Sequence, residues 1–294
     1  MKHLPILRRH IKATLFAFVA IGLLFAMPAC SDKKPEERQR ITVTIEPLRF
    51  VVEYLAGENF EIHTITPIDA NPETYQPTSK QIELLSQSAA YIRMGTLGFE
   101  YSQLRKMLSK SPHIFVVAAS DGIASLASCD KCYESPEGDP HTWTTPANMK
   151  HIATNICTAL CVIDYKNKEK YEERLAQLKS HIDSIDTQIR EKLDSIDKRT
   201  FLINHPSLAY FAQDYNLHQV AIHHEEEGQD SIDIAQEVEQ YRQLDINKMF
   251  VQEQHNIKHA QEIAKALGIE VIKIEPLAYN WSEQMLHIAR SLAQ

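Results

Sequence analysis

Several common chemical signatures are missing from this chain. It contains no HExxH, no GxSxG and no P-loop. Those absences remove the zincin hydrolases, the nucleophile-elbow esterases and the P-loop NTPases. No basic stripe is present, so nucleic acid is not an expected partner. After residue 29 no further apolar run is long enough to span a membrane. One CxxC, Cys129-Asp-Lys-Cys132, has no second pair to complete a four-thiolate metal site. The stretch 167–198 holds neither Gly nor Pro, so nothing in it breaks a helix.

What is present begins with "MKHLPILRRHIKATLFAFVAIGLLFAMPA". Lys2, Arg8, Arg9 and Lys12 precede an apolar run from Ala13 to Met27, and small Ala29 stands before Cys30. A basic start, a short apolar stretch and a small-residue cleavage site predict a secretion signal over 1–29. "MPAC" resembles a lipoprotein box, in which Cys30 carries a thioether lipid and anchors the chain to a membrane. Met27 and Pro28 depart from the Leu and Ala or Ser of that pattern, and a plain signal with an ordinary Cys30 is the alternative. The charged run "SDKKPEERQR" predicts a solvated tether over 30–40. Removing 1–29 takes away four positive charges and no acids, moving the formal charge from -8 to -12. An acidic surface suits cation attraction, and it equally serves solubility. Together these features predict an envelope protein located in the periplasm. In that oxidising setting Cys129 and Cys132 close a small disulfide or form half of a metal site. Cys157 and Cys161, four apart in an apolar helical pattern, read as small buried side chains.

The period of the apolar residues alternates between strand and helix. Strands are predicted at 41–47, 60–67, 89–95 and 113–119, with a helix at 48–57, another starting at Ser79 and a third near 98–109. The pattern restarts with strands at 199–204, 217–222, 248–252 and 269–275, and a last helix runs from Trp281. Such alternation calls for mostly parallel sheets covered by helices, an α/β fold in two similar halves. Between the halves, Leu175, Leu178, Ile182, Ile185, Ile189 and Leu193 step by three and four. They predict one long linking helix, 166–198, of about 45 Å at roughly 1.5 Å per residue. The lobes would then be 41–165 and 199–294. A continuous helix resists bending, so the halves should move little.

Ligands of open α/β sheets bind outside the carboxyl ends of the strands. Glu73, in "ANPETYQPTSKQ", follows the second strand. His141, in "GDPHTWTTP", follows the fourth after a long loop. His205, in "LINHPSLAYF", ends its strand, with Pro206 expected to open the next helix. Glu275, in "IKIEPLAYNW", ends the last strand. These four are 68, 64 and 70 residues apart, so no single loop makes the site. Two carboxylates and two imidazoles meeting in a cleft would bind a divalent cation. Singly, each has a plainer reading: Glu73 as a solvated loop acid, a His before Pro as a neighbour of a helix cap.

The same segments resemble the zinc/manganese substrate-binding proteins of bacterial ABC importers, the cluster with a long linking helix. "NPETYQPTSKQIELLSQSAAYIRMG" is similar to that family's Pro-His-x-Tyr-x-Pro segment, and "DPHTWTTPANMKHIATNICTAL" to its Asp-Pro-His-x-Trp segment. "FLINHPSLAYFAQDYNLHQVAI" is similar to the segment with the third ligand, and "VIKIEPLAYNW" to the final Asp-Pro-Leu. The resemblance runs from Ile41 to the C-terminus. It implies a metal site of Glu73, His141, His205 and Glu275, a permease and its ATPase as partners, and a monomeric carrier rather than an enzyme. Two positions depart from the pattern: Glu73 stands where the family has His, and Glu275 where it has Asp. A carboxylate at 73 hardens the site towards oxygen-loving ions, whereas His at 205 matches the zinc binders. Zinc is therefore expected, with manganese or iron as alternatives. The site equally closes with three ligands and water if Glu73 has lost the role. A His-rich loop is absent before His141. His223, His224, Glu225, Glu226 and Glu227 form another polar cluster, read either as a metal-capture loop or as plain solvated loop. A metal-dependent surface adhesin and a metallohydrolase are the competing classes.

Overall fold

Strand and helix alternate as the periodicity predicts in the computed structural model, which describes residues 38–126, 138–222 and 234–294. The signal and Cys30, most of the tether, Cys129 and Cys132, and the 223–227 cluster lie outside these residues. The first half contains β1 (Arg40–Val43), α1 (Glu46–Ala56), β2 (Glu61–Thr64), α2 (Ser79–Ser86), β3 (Ala90–Arg93), α3 (Gly98–Ser102), α4 (Arg105–Leu108) and β4 (Phe115–Ala118). Then come α5 (Pro146–Ile163) and the long α6 (Lys168–Leu193). The second half contains β5 (Thr200–Ile203), α7 (Ala209–Asp214), β6 (His218–Ala221), α8 (Ile234–Arg242), β7 (Ile246–Val251), α9 (Ile257–Leu267), β8 (Glu270–Lys273) and α10 (Trp281–Leu292).

The two halves repeat one topology. All strand pairs are parallel, in the orders β2-β1-β3-β4 and β6-β5-β7-β8. Ile41 pairs with Ile62 on one side and Ala90 on the other, and Leu202 with Val220 and Met249. Each sheet thus reverses its winding at its first strand, where ligand crevices open in such folds. Seven of the eight described strands are shorter than the sequence reading, whereas β7 starts two residues earlier and is one residue longer. Residues 46 and 47, read as strand, begin α1, because Pro47 is preset for a first helical turn. The helix expected near 98–109 divides into α3 and α4 around Gln103 and Leu104. The helix at Ser79 starts as expected, with Thr78 and Gln81 forming a reciprocal cap.

The linking helix is 26 residues long, roughly 39 Å at about 1.5 Å per residue. Its buried stripe is Tyr171, Leu178, Ile182, Ile185, Ile189 and Leu193, with Leu175 half-buried beside it. It packs on α1 and α5 from the first half and on α10 from the second. One hydrophobic core therefore runs from Ile41 and Ile92 through this stripe to Phe201, Phe250 and Met285. Two buried tryptophans add directed ties. Trp143 Nε1–H donates to the Pro276 carbonyl at 2.9 Å, and Trp281 Nε1–H donates to the Trp143 carbonyl at 2.8 Å. Cys157 is buried and Cys161 half-buried on α5, close to the reading of both as small core side chains. Among the described residues no helix is long and apolar enough to cross a membrane.

Since Ile182 is fully buried in the shared stripe, Ile182→Ala should cost about 2–5 kcal/mol of unfolding free energy. The exposed Ser184→Ala on the same helix should stay within about 0.5 kcal/mol. Urea unfolding followed by circular dichroism distinguishes the two; equal losses would mean that the stripe does not hold the halves together.

Candidate metal centre

Three of the four sequence-predicted residues meet. Glu73 lies in the turn between β2 and α2, shaped by Asn71, whose Oδ1 accepts the Glu73 backbone N–H at 2.9 Å. His141 precedes the short 3-10 turn Thr142–Thr144 that leads into α5. His205 lies two residues past β5. Pro206 does not open a helix as expected: Ser207 turns back to the His205 carbonyl, the Leu208 N–H is taken by Gln219 Oε1, and α7 starts at Ala209.

The donor atoms form a near-regular triangle. His141 Nε2 is 3.1 Å from Glu73 Oε1, His205 Nε2 is 3.3 Å from it, and the two Nε2 atoms are 3.1 Å apart. A tetrahedral ion with bonds of about 2.0–2.1 Å has ligand–ligand edges of roughly 3.3 Å, and a cis pair on an octahedron about 2.9 Å. The observed edges fall between these, so the triangle fits one face of a divalent cation's shell. All three side chains are below 10 % exposed (8 % for Glu73, 5 % and 6 % for the imidazoles). Glu73 is therefore not a solvated loop acid.

Glu275 is not part of this triangle. It is half-buried, and its carboxylate accepts from Gln254 Nε2 at 2.6 Å and from the Leu277 N–H at 3.2 Å. Burial raises its pKa, against the lowering effect of those two donors. Pro276 and Leu277 line the same pocket as His141 and His205. That pocket encloses about 250 Å³ including its opening to solvent, small for an organic solute.

Supporting residues that sequence reasoning missed surround the triangle. Asp139 Oδ1 lies 2.9 Å from His141 Nδ1 and also accepts the His141 backbone N–H. With Nδ1–H donating to the carboxylate, Nε2 is the atom aimed at the cleft. The Asp-Pro-His spacing in "GDPHTW" was the available signal. Asp139 is itself held through its carbonyl by the Tyr210 hydroxyl of the second half, at 3.1 Å. His255 stacks on His205, ring centroids 3.8 Å apart and nearly parallel at 8°. Gln252 donates to the His205 carbonyl at 2.9 Å. Beneath the His141 turn, buried Glu100 accepts the N–H groups of Met94 and Gly95 at 2.8 and 2.7 Å. The loop so fixed lets Thr96 donate to the Pro140 carbonyl. Gly95 has φ +96, and a Cβ there would meet the Ala118 side chain at 2.9 Å, so only Gly fits.

Electrostatics join the three groups into one unit. For Glu73, burial opposes ionisation, but the hydrogen bonds and charges of His141 and His205 outweigh it and hold the carboxyl far below the usual range. For His141, burial opposes the charge, and the carboxylates of Asp139 and Glu73 outweigh it, raising the imidazole to about 10. Both shifts favour an ionised Glu73 beside a charged His141 imidazole.

Comparison with known proteins decides the family. Residues 41–294 match the family described as "ZnuA: Zinc-uptake complex component A periplasmic". The chain belongs to this family. Among solved structures, ZnuA is 30 % identical with a TM-score of 0.79, covering 87 % of this chain and 98 % of that one. A zinc-bound ZnuA deletion mutant is 29 % identical with a TM-score of 0.80, covering 87 % and 97 %. The manganese ABC transporter substrate-binding lipoprotein PsaA of Streptococcus pneumoniae is 26 % identical over 275 residues, 90 % of this chain and 88 % of the relative. The iron ABC transporter substrate-binding lipoprotein MtsA of Streptococcus pyogenes serotype M1 is 24 % identical over 269 residues, 87 % and 86 %. The two parallel sheets and the long helix of this chain are the ZnuA fold.

In metal-free protein the His141 imidazole should stay charged through pH 8 and titrate near about 10, as read by NMR of its ring nitrogens. A folded value raised above the unfolded one of about 6.5 adds stability that is complete below pH 6.5 and is lost as pH rises towards 10. Metal-free protein should therefore lose stability over that window, and His141→Gln should remove that share of the loss. Titration near 6.5 would contradict the coupled unit.

Proposed function

We propose that this chain is the extracytoplasmic substrate-binding component of an ABC importer for a divalent metal, with zinc as the cargo and manganese or iron as the alternatives. The observation that carries the reading is the buried triangle of Glu73, His141 and His205, with Asp139 behind His141. In this reading Glu275 supplies the fourth ligand from the turn after β8, and Glu73 takes the place of an imidazole. Two imidazoles with His at 205 favour zinc, and two carboxylates extend the range towards harder ions. That mixed donor set agrees with relatives named for iron and for manganese alongside a zinc-bound neighbour.

Carriage fits better than catalysis. A catalytic zinc keeps an open position for water, whereas four protein ligands close a tetrahedral shell. Two lobes, 41–165 and 199–294, joined by the segment 166–198 whose stiff helix is Lys168–Leu193, would hold the ion between them and present it to a permease served by its ATPase. The protein would act as a monomer in the periplasm, tethered by lipid on Cys30 and the 30–40 segment. His223, His224 and Glu225–Glu227 would collect metal for the site. Adhesion and hydrolysis have no observation in their favour.

His141→Ala and His205→Ala should each weaken zinc binding at least tenfold, about 1.4 kcal/mol, in competition with a fluorescent chelator. Unchanged affinity in both would remove the site. Glu73→His should keep zinc and raise the zinc-to-manganese preference, because imidazole is the softer donor. Glu73→Ala should bind both more weakly. The same ratio and affinities in wild type and both variants would show that Glu73 is not a ligand.

A further inference from the structure

Gln254, in the loop after β7, touches both sides of the cleft at once. Its Nε2 lies 2.6 Å from Glu275 Oε2 and 2.9 Å from the Ile68 carbonyl oxygen. A primary amide carries two N–H groups on one nitrogen, and here each has its own acceptor. Glu275 belongs to the turn after β8, in the second half. Ile68 belongs to the turn after β2, five residues before Glu73. The same amide therefore ties the carboxylate at one wall to the segment that delivers Glu73 from the other. The Leu277 N–H holds the second Glu275 oxygen at 3.2 Å. Two donors from different directions leave a long, flexible carboxylate little rotational freedom.

We propose that Gln254 is a positioning residue for metal capture: its amide presets the Glu275 carboxylate and clasps it to the Pro67–Glu73 segment, so that the two carboxylate ligands approach the ion together. This rests on the reading of Glu275 as the fourth ligand. Groups that orient metal ligands typically change affinity 10–100-fold when removed, because the ligand must otherwise be ordered at the moment of binding. The chemistry selects an amide of this length. Met has the same reach and no donor. Asn has the donors but is one methylene shorter, too short to meet both acceptors from the same backbone position. Glu would turn a third acceptor towards a carboxylate and a carbonyl.

The test uses the purified chain, zinc and a chromophoric chelator, with Gln254→Met, Gln254→Asn, Glu275→Gln and the double variant Gln254→Met/Glu275→Gln. Thermal unfolding in chelator establishes that each is folded, and the visible spectrum of the Co2+-loaded protein reports the ligand shell. Glu275→Gln should weaken zinc binding tenfold or more. Both Gln254 variants should release zinc about tenfold faster and alter the Co2+ spectrum. The double variant should bind no more weakly than Glu275→Gln alone, because Gln254 acts through that carboxylate. Wild-type release from both Gln254 variants, with Glu275→Gln still weak, would overturn the proposal and leave the fourth ligand standing. Additive losses in the double variant would also overturn it. Wild-type affinity in Glu275→Gln would remove the fourth ligand, and the role of Gln254 with it.

Discussion

Three buried metal-ligand atoms about 3.2 Å apart, one of them a carboxylate oxygen, are stabilised most by a positive charge among them. Glu73 brings a full negative charge into a dry place, and Asp139 brings a second one behind His141. Two imidazole nitrogens face each other across the gap. The carboxylates of Asp139 and Glu73 favour a proton on His141 in the metal-free protein, and a divalent cation would balance them more completely. Much of the surrounding architecture can be understood as holding that unfavourable arrangement in place.

The restraint comes from both halves. Trp143, two residues after His141, donates to the carbonyl of Pro276, next to Glu275. Trp281 donates back to the Trp143 carbonyl. Tyr210 of α7 holds the Asp139 carbonyl. These short links keep the His141 and Glu275 turns in register, while α6 carries a continuous core past them. Binding in such a frame does not need wide closure. The turn containing Glu73 meets the second half through polar side chains, His205 on the Glu73 carboxylate and Gln254 on the Ile68 carbonyl.

Much of the fold was legible because it is written in periodicity. The eight strands among the described residues and the long helix follow from apolar spacing, and doubling of the pattern anticipated two similar halves, though not the strand order they share. The ends of elements were less legible. "ITVTIEP" looks like seven residues of strand, yet Pro47 starts a helix. Residues 98–109 look like one helix, yet they form two short ones. Of the site, Glu73, His141 and His205 could be found because each lies at a strand end in a segment with turn chemistry. Gln252, Gln254 and His255 could not. A glutamine in a loop has no period and no charge, and its role depends on which acceptors the other half of the chain brings within 3 Å.

Glu in place of His at position 73 changes the physics beyond the choice of metal. A neutral imidazole there would leave His141 with Asp139 as its only anionic neighbour among the groups that raise it, and the proton would be held less tightly. The carboxylate strengthens attraction for a cation and for the competing proton alike, so part of its benefit to metal binding cancels at neutral pH. What does not cancel is charge. A 2+ ion gains roughly twice what a proton gains from each added carboxylate at equal distance. In a pocket lined by Pro72, Trp143 and Leu277, with Glu73 and both imidazoles nearly buried, that difference favours a doubly charged ion over the proton. The same carboxylate therefore favours the charged His141 imidazole in the metal-free site and would favour a divalent ion over that proton.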